Sequence, residues 1–203
     1  MKMDTAGVDT ALSALGERLG RSGRETTQLV VCGGSALEAM GLVDRTTKDV
    51  DVLALGKIGQ DGILALTSAQ PLPAVVMDAS HIVARDLELP EDWLNPGPTD
   101  LLKEGLPEGL VARLHPRRYG DRLVVHFIDR FDQICFKAYA AINGGAAYHL
   151  ADLRALQPSS EEMLIAARWC LTQDASEIFP QLVRSFLEKV GYPDVAAELE
   201  TRD

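Results

Sequence analysis

The segment 30–53, VVCGGSALEAMGLVDRTTKDVDVL, constrains the fold more than any other stretch of the chain. An apolar run ends in Gly33-Gly34-Ser35, a short helical stretch follows, and a second apolar run carries Asp49 and Asp51. Successive side chains of a strand point to opposite faces, so residues two apart share one. Asp49 and Asp51 are therefore expected to project together while Val50 and Val52 enter the core. Two carboxylates held side by side repel each other unless a cation lies between them. A Gly-Gly-Ser turn opening a helix offers backbone N–H groups that no intrahelical carbonyl claims, a place where phosphate is readily held. The pattern predicts a strand–helix–strand unit that joins a metal-binding carboxylate pair, Asp49 and Asp51, to a phosphate cradle of Gly33, Gly34 and Ser35.

That combination is the apparatus of nucleotidyl transfer, and the order of features resembles the signature of the nucleotidyltransferase (DNA polymerase β-like) superfamily. The signature is a hydrophobic residue, Gly-Gly or Gly-Ser, a spacer, and Asp-x-Asp between hydrophobics; here the spacer runs from Ala36 to Lys48. Either half alone is a common turn or strand end, and the ordered pair is far more specific. Further along, Trp93-Leu94-Asn95, Lys137 and His149-Leu150-Ala151-Asp152-Leu153 extend the likeness over most of residues 28–156. In that order they resemble the AbiEii/AbiGii-type nucleotidyltransferases, the toxin halves of abortive-infection toxin–antitoxin pairs.

The resemblance implies a Mg²⁺-dependent enzyme, with Mn²⁺ able to substitute, that transfers NMP from an NTP to an acceptor hydroxyl. Asp49 and Asp51 would hold the metal, and Gly34 and Ser35 the β- and γ-phosphates. Lys137 would bind the nucleotide and neutralise its triphosphate, and Asp152 would orient Lys137 or act as a base. The acceptor can belong to tRNA, a protein or a small molecule, and an antitoxin is the implied partner. A lysine in an apolar helix ordinarily carries its ammonium out to solvent, which is the competing expectation for Lys137. Two departures stand out. Where the family places an arginine after the lysine, this chain has Ala-Ala-Ile-Asn-Gly-Gly, and the strand Leu123 to Ile128 carries His126 but no carboxylate, with Asp129 at its end. Both favour the alternative, a non-catalytic nucleotide-binding or protein-interaction module on the same fold.

The rest of the sequence sets the frame. At 203 residues and 46% hydrophobic, the chain has material for one sizeable α/β (α+β) domain with a helical extension. The reading is a small mixed β-sheet nucleotidyltransferase core flanked by helices over 1–128, with a C-terminal helical bundle over 129–203 packed on it. No apolar run approaches the ~20 residues of a membrane span, and no basic region precedes an apolar stretch at the N-terminus, so a cytoplasmic protein with no membrane partner is expected. Cys32, Cys135 and Cys170 are scattered in apolar contexts and read as buried thiols, with neither disulfide nor zinc spacing. A net charge of −10 argues against general coating of nucleic acid. Arg113, His115, Arg117, Arg118 and Arg122 form the densest cationic cluster, either a solvated hairpin face or a contact for a polyanion.

Periodicity predicts a helix over 9–19 capped by Asp9 and stopped by Gly20, and strands at 27–32 and 49–55. A helix is expected from Asp61 with Ile63, Leu64 and Leu66 inward; the run from Ala74 suits a strand or a helix ending near Leu87. Residues 90–98 read as a turn-rich connection anchored by Trp93. A hairpin is expected between Val111–Leu114 and Leu123–Phe127 around Tyr119-Gly120-Asp121. Helices then follow: 131–142 capped by Asp129, 149–156, one starting at Ser159 or Ser160 and running to Thr172, 177–190 with Pro180 in its first turn, and 194–201.

Overall fold

A computed structural model describes residues 3–22, 25–44 and 46–200. The chain divides into two compact units, residues 1–103 with 109–129, and residues 104–108 with 130–203.

The first unit is a mixed α/β layer. Helix α1 (Thr5–Ser22) buries Val8, Leu12, Leu15 and Leu19, the one-sided stripe expected of an amphipathic helix. It begins earlier than the sequence suggests, and Asp9 lies inside it, accepting from the Tyr119 hydroxyl at 2.6 Å and from Arg117 at 3.1 Å. Strand β1 (Thr27–Cys32) leads into the seven-residue helix α2 (Gly33–Ala39), and β2 (Val50–Ile58) returns antiparallel to β1.

The segment from Asp61 is not a helix. Gly59 N–H donates to the Ile63 carbonyl at 2.8 Å, Asp61 accepts from Ile63 N–H at 3.0 Å, and Gly62 adopts φ 76°, so the chain reverses into β3 (Leu64–Thr67) against β2. Turn chemistry at Gly59–Gly62 overrides the apolar spacing that mimicked a helix. The run from Ala74 is helical, α3 (Ala74–Asp86). Strand β4 (Leu94–Asn95) then runs parallel to the start of β2, followed by a 3₁₀ turn (Gly97–Leu102).

The expected hairpin is present with a different first strand. Residues Leu110–Arg113 form the short helix α4, and β5 (His115–Tyr119) pairs antiparallel with β6 (Leu123–Phe127) around Gly120, whose φ is 67°. Pro116 is tolerated because β5 is a sheet edge, where a missing ladder donor costs little. The sheet order is β3-β2-β1-β6-β5, with β1 and β6 parallel and β4 beside β2, as the mixed sheet flanked by helices predicted. One face packs on α1 and α3 through Leu29, Val31, Val50, Val52, Leu123, Val125 and Phe127.

The second unit is helical: α5 (Arg130–Ile142), α6 (Ala147–Ala155), α7 (Ser160–Gln173), α8 (Phe179–Val190) and α9 (Pro193–Glu200). Thr201, the last residue of the expected final helix, lies outside the described residues. Ser159 caps α7 in a reciprocal box with Glu162, the arrangement its Ser-Ser-Glu-Glu sequence implied. Phe136, Tyr139, Trp169 and Phe179 form a chain of aromatic contacts among α5, α7 and α8, with ring centroids 5.4–6.0 Å apart. Residues 104–108 belong here because the Gly105 carbonyl accepts from Trp169 Nε1 at 3.2 Å and Gln173 Nε2 at 2.9 Å. Among the described residues no helix is long and apolar enough to cross a membrane.

Candidate functional site

The carboxylates sit where β2 begins. Val50 and Val52 are fully buried and Asp51 between them is half-buried, the alternation expected of a strand with one core face. Asp49 immediately precedes the strand. Its approach is pinned from the other side: Thr47 exchanges two 2.7 Å backbone hydrogen bonds with Met3, and its hydroxyl donates to the Asp49 carbonyl at 3.1 Å. Arg45, within the spacer, lies outside the described residues. Just past the carboxylates the ladder slips: Val31 faces Val52 but Val30 faces Ala54, which leaves Leu53 as the extra residue of a bulge. A bulge increases local twist and re-aims neighbouring side chains, here those at the Asp51 end of the strand.

The glycine turn meets Asp51 directly. Gly33 has φ 71°, and a Cβ built on it would collide with Asp51 Oδ2. In the expected cradle Gly34, with Ser35, is the glycine set against the phosphates, where a Cβ would crowd them or force an unfavourable φ. The structure moves that requirement to Gly33, with Gly34 buried inside α2 and outside the positive-φ set. Ser35 is fully buried, and its hydroxyl donates to the Cys32 carbonyl at 3.4 Å. On the opposite flank, Asn95 Nδ2 donates to Asp51 Oδ1 at 2.9 Å. Asn95 belongs to β4, whose partner residues on β2 are Val50 for Leu94 and Asp51 for Asn95.

The surroundings of Asp49 disfavour its charged form. Burial raises its pKa above the ordinary aspartate value, and the nearby Asp92 carboxylate raises it further. Hydrogen bonds from its own N–H and from Thr47, together with the Lys48 charge, oppose the shift without cancelling it. Mg²⁺ is typically held by one or two carboxylates plus water and substrate phosphates. Asp49 and Asp51 are the carboxylates that could take that share, and a bound cation would favour the charged form of Asp49 that burial disfavours. Among the described residues no three His, Cys, Asp or Glu side chains converge as a metal cage.

His126 on β6 and Asp129 beyond its end each have a partner. His126 Nε2 lies 2.7 Å from Gln28 Oε1, and burial lowers its pKa. His115 Nε2 lies 2.9 Å from Asp129 Oδ2. The basic cluster is likewise divided. Arg117 reaches Asp9 and the Ala39 carbonyl and stacks over Phe127 at 5.2 Å, whereas Arg118 is exposed.

In the helical unit the structure brings Lys137 and Asp152 together. Lys137 Nζ is 2.8 Å from Asp152 Oδ2, with side-chain exposures of 4% and 3%. The ammonium is also 5.8 Å from the Tyr148 ring centre. Lys137 therefore does not carry its charge to solvent, as an apolar-helix lysine ordinarily does. Arg130 fixes the surrounding helices: it donates to the Leu156 carbonyl at the end of α6 and pairs with Glu162 in the first turn of α7. The arginine holds the Glu162 carboxyl below its usual range.

Two neighbours of the carboxylates carried no role in the sequence reading, Asp92 and Asn95. The only signal of Asn95 was the Trp93-Leu94-Asn95 run, and Asp92 gave none. Trp93 is fully buried and donates from Nε1 to the Ser80 carbonyl at 3.0 Å, which fixes the segment on α3. No family model matches this sequence, and neither a curated protein nor a solved structure matches it.

Proposed function

We propose that the chain is a divalent-metal-dependent nucleotidyltransferase that moves NMP from an NTP to an acceptor hydroxyl. The observation that carries the reading is the join of β1, the Gly33 turn and β2. Asp51 lies against a glycine that has no room for a side chain, and Asp49, whose charged form is disfavoured by burial and by the nearby Asp92, stands two residues away.

On this reading Asp49 and Asp51 would hold Mg²⁺ or Mn²⁺. When bound, such an ion supplies charge neutralisation for the triphosphate and acidifies the acceptor hydroxyl. The Gly33-Gly34-Ser35 turn lets the nucleotide approach the backbone beside the carboxylates. The acceptor oxygen bonds to the α-phosphorus, the bond to the departing pyrophosphate breaks, and the hydroxyl proton passes to solvent water. The resemblance alone would add Lys137, as an ammonium for the triphosphate, and Asp152; the reading here rests on Asp49 and Asp51 without them.

A second reading, a non-catalytic nucleotide-binding or protein-interaction module, draws on the Lys137–Asp152 pair. A lysine whose charge is already matched at 2.8 Å inside the protein has less to offer a phosphate. Incubation with each α-labelled NTP and Mg²⁺ or Mn²⁺ against total RNA and total protein separates the two. Metal-dependent label in either fraction, lost in Asp51→Asn, is the expected result. Nucleotide binding without transfer under every combination would favour the module.

A further inference from the structure

Asn95 lies 44 residues from Asp51 in sequence and is brought to it by a parallel strand only two residues long. So short a strand contributes little to a sheet, yet it is held from three directions. Trp93 is fully buried with its indole N–H on the Ser80 carbonyl, the Trp93 carbonyl accepts from Val50 N–H at 2.6 Å, and Leu94 is 5% exposed. The amide of Asn95 is also fixed in sense. Gly97 N–H donates to Asn95 Oδ1 at 2.9 Å, which commits the oxygen to the backbone and turns the NH₂ group toward Asp51 Oδ1. The approach of Gly97 is close, since a Cβ there would stand 3.0 Å from Asn95 Oδ1. The two oxygens of Asp51 consequently have different surroundings: Oδ1 accepts from the Asn95 amide and Oδ2 lies over Gly33.

We propose that Asn95 is the positioning residue of the carboxylate pair, holding the Asp51 carboxylate in one rotation as a partner of Asp49 in binding a divalent cation. This inference rests on the metal-site reading of Asp49 and Asp51. A carboxylate on a two-bond side chain turns freely unless hydrogen-bonded, and ligating carboxylates depend on such partners for their orientation. The chain Gly97 N–H to Asn95 to Asp51 supplies that restraint from backbone that is itself anchored by Trp93.

The test uses the full chain and Mn²⁺ alone, with bound metal read from loss of the free-ion electron paramagnetic resonance signal and the metal-free melting temperature recorded alongside. Asn95→Ala removes the donor, and Asn95→Leu removes it while filling similar volume, so that at least one variant is expected to keep the parent's melting temperature. In that variant Mn²⁺ affinity should fall ~10–100-fold, the usual effect of removing an outer partner of a metal ligand. A merely structural Asn95 predicts affinity that follows melting temperature. Parental affinity in a variant that melts like the parent overturns the proposal, as does an affinity loss seen only in variants that melt lower. Asp51→Asn separates this failure from that of the underlying reading: if it too retains Mn²⁺, or if the parent binds none, the metal site itself is wrong.

Discussion

Asp49 and Asp51 stand at the start of a strand with a third carboxylate, Asp92, near enough to raise the Asp49 pKa, and both are only half-buried. Lys137 and Asp152 form a 2.8 Å ion pair with 4% and 3% exposure. The first group concentrates charge of one sign where solvent or a ligand can reach it; the second cancels opposite charges where solvent cannot. A partly exposed carboxyl whose charged form is disfavoured gains from a nearby cation, whereas a closed buried pair resists being opened. The same types of charged residue thus serve opposite ends, and their electrostatic balance separates a receptive locus from a self-satisfied one.

The largest effect should come from opening the closed pair. Removing one partner of a buried ion pair leaves the other charge uncompensated at a cost of about 3–5 kcal/mol, whereas replacing both with apolar residues is often neutral. Asp152→Leu and Lys137→Met are each expected to lower the melting temperature sharply, and the double variant to recover most of the loss. Lys137→Met is therefore not a clean removal of charge at constant stability, as a snorkelling lysine would have allowed. Two single variants that melt like the parent would mean that the pair contributes nothing to joining α5 and α6.

Next comes the turn that serves the open locus. A Cβ in the left-handed region costs roughly 1–2 kcal/mol, and at Gly33 it also meets Asp51. Gly33→Ala should lower stability by at least ~1–2 kcal/mol and displace the Asp51 carboxylate, so that Mn²⁺ binding falls with it. Gly34→Ala carries no such backbone penalty and should be milder in denaturant titration. The reverse ranking would return the cradle to Gly34.

How far the sequence could carry these distinctions depended on the range of the interaction. The β1–α2–β2 unit was legible because its signals are local: alternation at Val50-Asp51-Val52, and glycines at a strand end. The Ser159–Glu162 box was legible for the same reason. At 59–67 two local signals conflicted, and the Gly59–Gly62 turn won over helix-like spacing. Only the first strand of the hairpin lies one segment later than expected, because the apolar Val111–Leu114 resembles a strand more than His-Pro-Arg-Arg-Tyr does, and an edge position accommodates the latter. Asn95 could not be found at all by pattern, since its role comes from a 44-residue closure that Trp93 anchors. The burial of Lys137 was hidden for a related reason. Its counter-ion sits on the next helix, and nothing in an isolated lysine tells a snorkelling side chain from a paired one.

The smallest effect is the most specific to the open locus. Because the native pKa of Asp49 is raised, the folded state binds its proton more tightly than the unfolded chain does. Ionised Asp49 therefore costs stability at every pH above its raised native value. That cost disappears as pH falls through this value toward 3.8, the ordinary carboxyl value, so acidification across the window stabilises through this residue. Asp49→Asn abolishes the ionisation while keeping the side chain's shape and part of its hydrogen bonding. It should raise the melting temperature slightly at neutral pH and leave it unchanged below the window, and it should remove the metal-dependent stabilisation expected of the parent. Melting curves of the two proteins from pH 7 downward, with and without Mn²⁺, read both effects at once. A variant that melts lower than the parent at pH 7 without metal would show that the Asp49 charge is already compensated within the protein, and would erase the contrast with Lys137 and Asp152.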